Sequence, residues 1–255
     1  MASTAHNPYA PSHDASQTKH HEMRTAENSA THLLPHLRRL ASQIPRLKVL
    51  DVGAGSGTIT ASLAKFIPPG GTITATDISN AILDRAREFA VSQGLDSDKI
   101  TFQKASVYEL PFQDAEFNVV HTHQVLSHLD SPVDAIREMV RVCKPGGVVS
   151  LRETDMAMWC FWPELEALQE GFRGLLADIL VANGGQDRAG RRLVSWALAA
   201  GVKRGEIEAG FGTWCYSEPG ERRAWGEFSP FLFLRPVVTI HFGERRIRGG
   251  GNLTH

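Results

Sequence analysis

Residues 49–60 read Val49-Leu50-Asp51-Val52-Gly53-Ala54-Gly55-Ser56-Gly57-Thr58-Ile59-Thr60. A short apolar run gives way to alternating glycines and then to a helical pattern. Glycine lets the chain turn sharply and lets a ligand approach bare backbone, while unsatisfied N–H groups at a helix start favour an anionic group. The stretch therefore predicts a strand, a nucleotide-cofactor loop and a helix. A glycine pattern alone is a weak signal, and the strand before it and helix after it supply the weight.

On the C-terminal side, Ala61, Leu63, Ala64 and Phe66 form a helix face that Pro68-Pro69-Gly70-Gly71 closes. Residues 72–77 are mostly β-branched, as in a buried parallel strand, and end on Asp77. A Rossmann-like fold places at that point a carboxylate that accepts from both ribose hydroxyls. The competing role for Asp77 is a helix N-cap, since Ser79-Asn80 introduces the next helix. That helix, 81–93, carries Ile82, Ala86, Phe89 and Ala90 on one face and stops at Gly94. Strands follow at 99–105 and 116–126. Ser131 and Pro132 then open a helix bearing Val133, Ile136, Met139, Val140 and Cys143. Lys144-Pro145-Gly146-Gly147 predicts a tight turn into a fifth strand at 148–155. Alternating strand and helix imply an α/β fold, doubly wound around a mostly parallel sheet, with the ligand beyond the C-terminal strand ends.

Upstream, residues 24–34 predict a helix that ends or kinks at Pro35, with Arg24 and Asn28 sharing a face that is either exposed and polar or a lid over the cofactor. Downstream of 155 the pattern changes. Residues 156–163 are apolar and aromatic, and 164–182 form a helix whose Leu165, Leu168, Phe172, Leu175, Leu176 and Ile179 read as a core stripe. A helix through Leu193, Trp196 and Ala200 and a sixth strand at 206–216 follow. The inserted helices, about 156–200, are placed to cap the strand ends and shape a substrate pocket. The chain thus divides into a tail (1–20) too polar to offset the entropy of ordering it, one domain (21–217), and an atypical segment (218–255) in which Val237 to Phe242 can form an edge strand.

Composition excludes several classes. A net charge of -1 from 27 basic and 28 acidic residues creates no field toward nucleic acid or an anionic membrane, so a small-molecule substrate is the expectation. Three widely spaced cysteines argue against a disulfide framework and for a reducing compartment, and the polar N-terminus lacks a signal-like apolar core; the expected location is cytoplasmic. His13, His20 and His21 have no partners at ligand spacing, so no metal is expected.

The ordered blocks together resemble the class I S-adenosylmethionine-dependent methyltransferases, in the branch of the ubiquinone/menaquinone-biosynthesis enzymes and many microbial and fungal secondary-metabolite enzymes. The carriers are Asp51 to Thr58, Asp77, Leu110-Pro111-Phe112, Phe117-Asn118-Val119-Val120, His123-Gln124-Val125-Leu126 and Arg141-Val142-Cys143-Lys144-Pro145-Gly146-Gly147, with Arg24 to Ala30 similar to the branch's closing helix. The resemblance covers residues 20 to 217. It implies S-adenosyl-L-methionine as cofactor, with Asp51, Gly53, Ala54, Gly55 and Gly57 at its methionine part, Asp77 and Ile78 at the ribose, and Ser106 and Val107 at the adenine. Gln124 would line the reactive side, under a lid carrying Arg24 and Asn28. Ser106 departs from the usual aspartate and accepts more weakly. Methyl transfer needs alignment, and a base only where the nucleophile must lose a proton. His121, His123 and His128 are base candidates because histidine titrates near neutrality, with His123 and His128 foremost; pocket lining is the commoner role for such residues. Glu153 and Asp155 either join them or simply cap and pair with Arg152. Two rivals stand beside an active methyltransferase: a catalytically impaired methyltransferase-like protein that modulates a pathway, and a nicotinamide-dependent oxidoreductase, disfavoured by Asp51 before the first glycine and by Thr58 where a glycine is usual.

Overall fold

The computed structural model describes residues 22–160, 162, 166–216, 218–220 and 223. The expected tail with His13, His20 and His21, Leu165 of the expected stripe, and the candidate edge strand at 237–242 lie outside the described residues.

Five parallel strands form one sheet: β1 (Lys48–Val52), β2 (Thr72–Asp77), β3 (Ile100–Lys104), β4 (Phe117–His123) and β5 (Cys143–Arg152), in the order β3-β2-β1-β4-β5. The order reverses between β1 and β4, and in such sheets the crevice beyond that reversal receives the ligand. Helices cover both faces around β4, whose every residue is buried, the polar Asn118, His121, Thr122 and His123 included. Side chains alternate between the faces. Val49, Ile73 and Val119 pack with Leu37 and Leu40 of helix α2 (Leu34–Gln43), after the short helix α1 (Ala26–Ser29). Leu50, Val52 and Val120 face the other way, toward Met139 and Val142 of α5 (Pro132–Val142). Between these lie α3 (Thr58–Leu63), which follows the glycine loop, and α4 (Asn80–Ser92). After β5 come α6 (Glu166–Ala182) and α7 (Ala189–Ala199).

Four expectations are corrected. The helix expected at 24–34 is broken: Thr25 caps α1, so Arg24 precedes the helix and shares no helix face with Asn28. Pro35 opens α2 instead of ending a helix, because the first helical turn has no use for the missing N–H. The stretch 206–216 forms no strand; a 3-10 turn at Arg204–Glu206 leads into irregular backbone. The stripe on α6 is only partly core, with Leu175 53% and Ile179 45% exposed. A fifth correction is the turn expected at Lys144–Gly147 before a strand at 148–155: the strand already runs Cys143–Arg152, and those residues form an irregularity within it where the pairing to β4 shifts between Phe117↔Cys143 and Val119↔Val148. The elements after β5 bond to the backbone that follows the strands. Gln186 N–H donates to Ser127 O at 2.7 Å and Gly190 N–H to Thr154 O at 2.9 Å. Leu193 and Trp196 pack on Leu126 and Ile136.

Candidate functional site

The glycine loop leaves β1 at the strand-order reversal. Gly53 (φ 71), Gly55 (φ 55) and Gly57 (φ 76) all occupy the left-handed region that glycine tolerates. Gly53 and Ala54 N–H groups both donate to Thr76 O, at 2.8 and 2.9 Å, which ties the loop to the end of β2. A Cβ on Gly55 would meet nothing within 4 Å, so the loop's crest faces open space. A Cβ on Gly53 would lie 2.3 Å from Val125 Cγ2, so the turn after β4 rests directly on the loop.

Asp77 stands beside that crest. Its Oδ2 accepts the Gly55 N–H at 3.1 Å and its Oδ1 the Ser79 N–H at 3.1 Å, while Ser79, not Asp77, caps α4. The N-cap alternative for Asp77 is thereby answered. Each carboxylate oxygen accepts more than one hydrogen bond, so a vicinal diol can be added to this held carboxylate. A bare backbone crest facing space and a fixed acceptor at the next strand end fit S-adenosylmethionine.

The other expected contacts fall into two sets. Ile78, 49% exposed, and Ser106, whose Oγ accepts the Tyr108 N–H at 3.3 Å, lie just past the ends of β2 and β3. Val107 packs against both the Leu110 and the Leu126 clusters. Gln124 follows β4 at φ 54, rare for a residue with a Cβ, and its N–H donates to Arg152 O at 2.8 Å. Asp51 and Asn28, by contrast, are braces. Asp51 is buried and accepts from Thr60 Oγ1 at 2.5 Å, joining β1 to α3; burial, and then Asp77, push its pKa up to about 7 against the opposing Thr60 bond. The Asn28 side chain folds back into the α1 cap, accepting from Thr25 N–H at 2.7 Å and donating to Met23 O at 2.9 Å.

The segment 22–30 is strapped down from far along the chain. Arg152 Nη1 donates to Asn28 O at 3.2 Å and Ser29 O at 2.8 Å, and Trp214 Nε1 donates to Asn28 O at 3.0 Å. Arg24 and Arg152 place their guanidinium carbons 5.1 and 4.9 Å from the Trp214 ring centre, and His123 stacks on the same ring at 5.6 Å. Behind them, His32 Nε2 and His121 Nδ1 share Ser150 Oγ, at 2.9 and 3.1 Å.

The structure places both foremost base candidates beside Arg24, but the expectation that they titrate near neutrality is corrected. Burial, then Arg24, His121 and Arg152, hold His123 well below the usual histidine range. Burial and then Arg24 pull His128 down to about 4. Both are neutral at pH 7, and weakly basic. Glu153 is the group that sequence reasoning underweighted. Its Oε1 accepts the N–H groups of Val125 at 2.9 Å and Leu126 at 2.7 Å, and burial, opposed by these bonds and by Ser127, pushes its pKa up to about 7. Asp155 does not pair with Arg152; it pairs with Arg191 and caps the turn Met156–Met158. No local spacing could announce the Arg152 and Trp214 contacts, since their partners lie 123 to 186 residues away.

Residues 50–151 match the methyltransferase domain family. An uncharacterized methyltransferase of Schizosaccharomyces pombe is 36% identical over 245 residues, covering 93% of this chain and 81% of that protein. So large a share runs past residue 217, beyond where the motif resemblance stops. A ubiquinone/menaquinone biosynthesis C-methyltransferase of Ectopseudomonas mendocina is 34% identical over 103 residues, 40% of each chain. Among solved structures, a Haemonchus contortus phosphoethanolamine N-methyltransferase 2 superposes with a TM-score of 0.50 at 18% identity, over 68% of this chain and 38% of that one, a likeness of fold.

Proposed function

The chain belongs to the class I S-adenosylmethionine-dependent methyltransferases, and from that premise we propose that its acceptor is a small molecule, of the kind secondary metabolism supplies. The observation that carries this reading is enclosure. His123 is 8% exposed, and α1 and the 186–190 segment close over the β4 and β5 ends from two sides. A folded macromolecule could not present an atom there without opening both. The near-neutral net charge supports the same reading, and among the described residues no helix is long and apolar enough to cross a membrane.

When bound, S-adenosylmethionine supplies an electrophilic methyl group on sulfonium sulfur, which a nucleophile displaces in line. In the proposed assignment the Gly53–Gly57 backbone takes the methionine part, Asp77 and Ile78 the ribose, and Ser106 and Val107 the adenine. Gln124, fixed by its N–H bond to Arg152 O and followed by the Glu153-held turn, lines the reactive side. Segment 22–30, strapped by Arg152 and Trp214, excludes water and brings Arg24 over the site. His123 and His128, neutral and weakly basic, serve to position an acceptor that is readily ionised more than to deprotonate a reluctant one.

The test is incubation with methyl-labelled S-adenosylmethionine and a fractionated cell extract, read by mass spectrometry. Label in a small-molecule fraction, as the mass of one labelled methyl group in place of a hydrogen, is the expected result. Label confined to protein or nucleic acid would remove the small-molecule reading, and cofactor binding without any transfer would favour the impaired, modulating rival.

A further inference from the structure

Among the described residues, Arg152 is a cation without a paired carboxylate. It ends β5, its side chain is half-buried, and its Nη1 bonds only neutral carbonyls, Asn28 O and Ser29 O. Among the described residues no carboxylate pairs with it. Asp51 points to Thr60, Glu208 pairs with His36, and Asp155 pairs with Arg191. Glu153, the residue after the strand, is committed instead to the N–H groups of Val125 and Leu126. Among the described residues, the groups that interact electrostatically with Arg152 are Arg24 across the Trp214 ring, His32, His121 and His123, each histidine pulled down in part by its charge, and the Tyr216 phenol; none is a carboxylate. Burying a charge among neutral and like-charged neighbours is unfavourable unless a counter-charge completes the arrangement.

A second observation points the same way. His121 Nε2 and His123 Nε2 are fully buried and have no hydrogen-bond partner among the described residues, although buried polar atoms are nearly always satisfied. His123 stacks on the ring that Arg152 lies over. The cluster sits at the ends of β4 and β5, beside Gln124, where the acceptor of the proposed reaction must enter.

We infer that Arg152, with Arg24 across the Trp214 ring, binds a carboxylate carried by the methyl acceptor. A guanidinium is a planar fork of donors that matches a carboxylate, and stacking on an indole fixes the plane of that fork before the ligand arrives. The inference rests on the small-molecule reading and narrows it to organic acids.

Isothermal titration calorimetry on the full chain, with and without saturating S-adenosylhomocysteine, tests it with benzoate, its neutral isostere benzamide, and inorganic phosphate. Benzoate should bind about tenfold or more tightly than benzamide, the usual scale for a hydrogen-bonded charge. Arg152→Gln should abolish that preference at unchanged helix content, and Arg152→Lys, which keeps the charge but not the fork, should retain part of it. Should Arg152→Gln fail to fold, Arg152→Lys alone decides, since an undiminished preference there overturns the inference. Equal binding of benzoate and benzamide to the wild type, or tighter binding of phosphate than of benzoate, overturns it too. Absence of S-adenosylhomocysteine binding would instead count against the cofactor assignment, because the benzoate preference is also read without it.

Discussion

Asp77 and Gly53 carry the cofactor assignment at the scale of single residues, and they fail differently when changed. Asp77 is held by Gly55 and Ser79 N–H groups, so its carboxylate is already oriented. Asp77→Ala removes a charged acceptor from a ribose diol, at about 1.5 to 3 kcal/mol. S-adenosylhomocysteine affinity should therefore fall roughly 10- to 100-fold by calorimetry, and an unchanged affinity would remove Asp77 from the site. Gly53→Ala is a folding lesion as well. It puts a Cβ 2.3 Å from Val125 Cγ2 at φ 71. Overpacking and left-handed strain together should cost on the order of 2 to 4 kcal/mol in urea denaturation. Adding Val125→Ala relieves the clash but not the φ, so the double variant should recover only part of the loss. Full recovery would show that the backbone strain is negligible.

Among the elements, α1 has only four residues and cannot stand by propensity, so it is held by what grips its C-terminal carbonyls. Trp214→Phe keeps the ring for Arg24 and Arg152 but deletes the donor to Asn28 O. Amide exchange in residues 22–30 should quicken modestly in Trp214→Phe and strongly in Trp214→Ala, with cofactor affinity falling in the same order. Equal exchange in all three proteins would place the strap elsewhere. This contact also marks the limit of what the chain shows unaided. Gly55 and Asp77 were legible because their geometry is local: a strand, a turn, a strand, with spacing set by one crossover. At 24–34 the apolar positions continue through Leu33 and Leu34 and so predict one helix, while the break arises from the Thr25 cap and from Pro35 starting a new first turn. The β-like alternation at 206–216 predicts a strand that does not form, and within it Trp214 is committed to Arg24, Arg152, His123 and Asn28. The exposed Leu175 and Ile179 show that helical periodicity reports an apolar stripe, and not whether the described residues cover it.

Across the whole molecule, the site's buried ionisable groups make stability depend on pH from two sides. Asp51 and Glu153 have folded pKa values raised to about 7, so the stability they bring is complete below pH 4 and is lost as pH rises through 7. His121, lowered to about 3, and His128, lowered to about 4, act oppositely. Their contribution is complete above pH 6.5 and is lost as pH falls through their folded values. Between about pH 4.5 and 6.5 the two sets compete, and the net slope is shallow there. Variants separate them. Glu153→Gln cannot ionise, so its unfolding free energy relative to wild type should rise between pH 4.5 and 8 by on the order of 3 kcal/mol, the worth of a shift of that size. His128→Asn should gain on wild type in the other direction, between pH 6.5 and 4, by a similar amount. Urea denaturation of the three proteins at pH 4.5, 6 and 8 measures both trends. A wild-type difference independent of pH in either variant would mean that the group stays hydrated in the folded chain, and that the enclosure on which the small-molecule reading depends is looser than its buried atoms indicate.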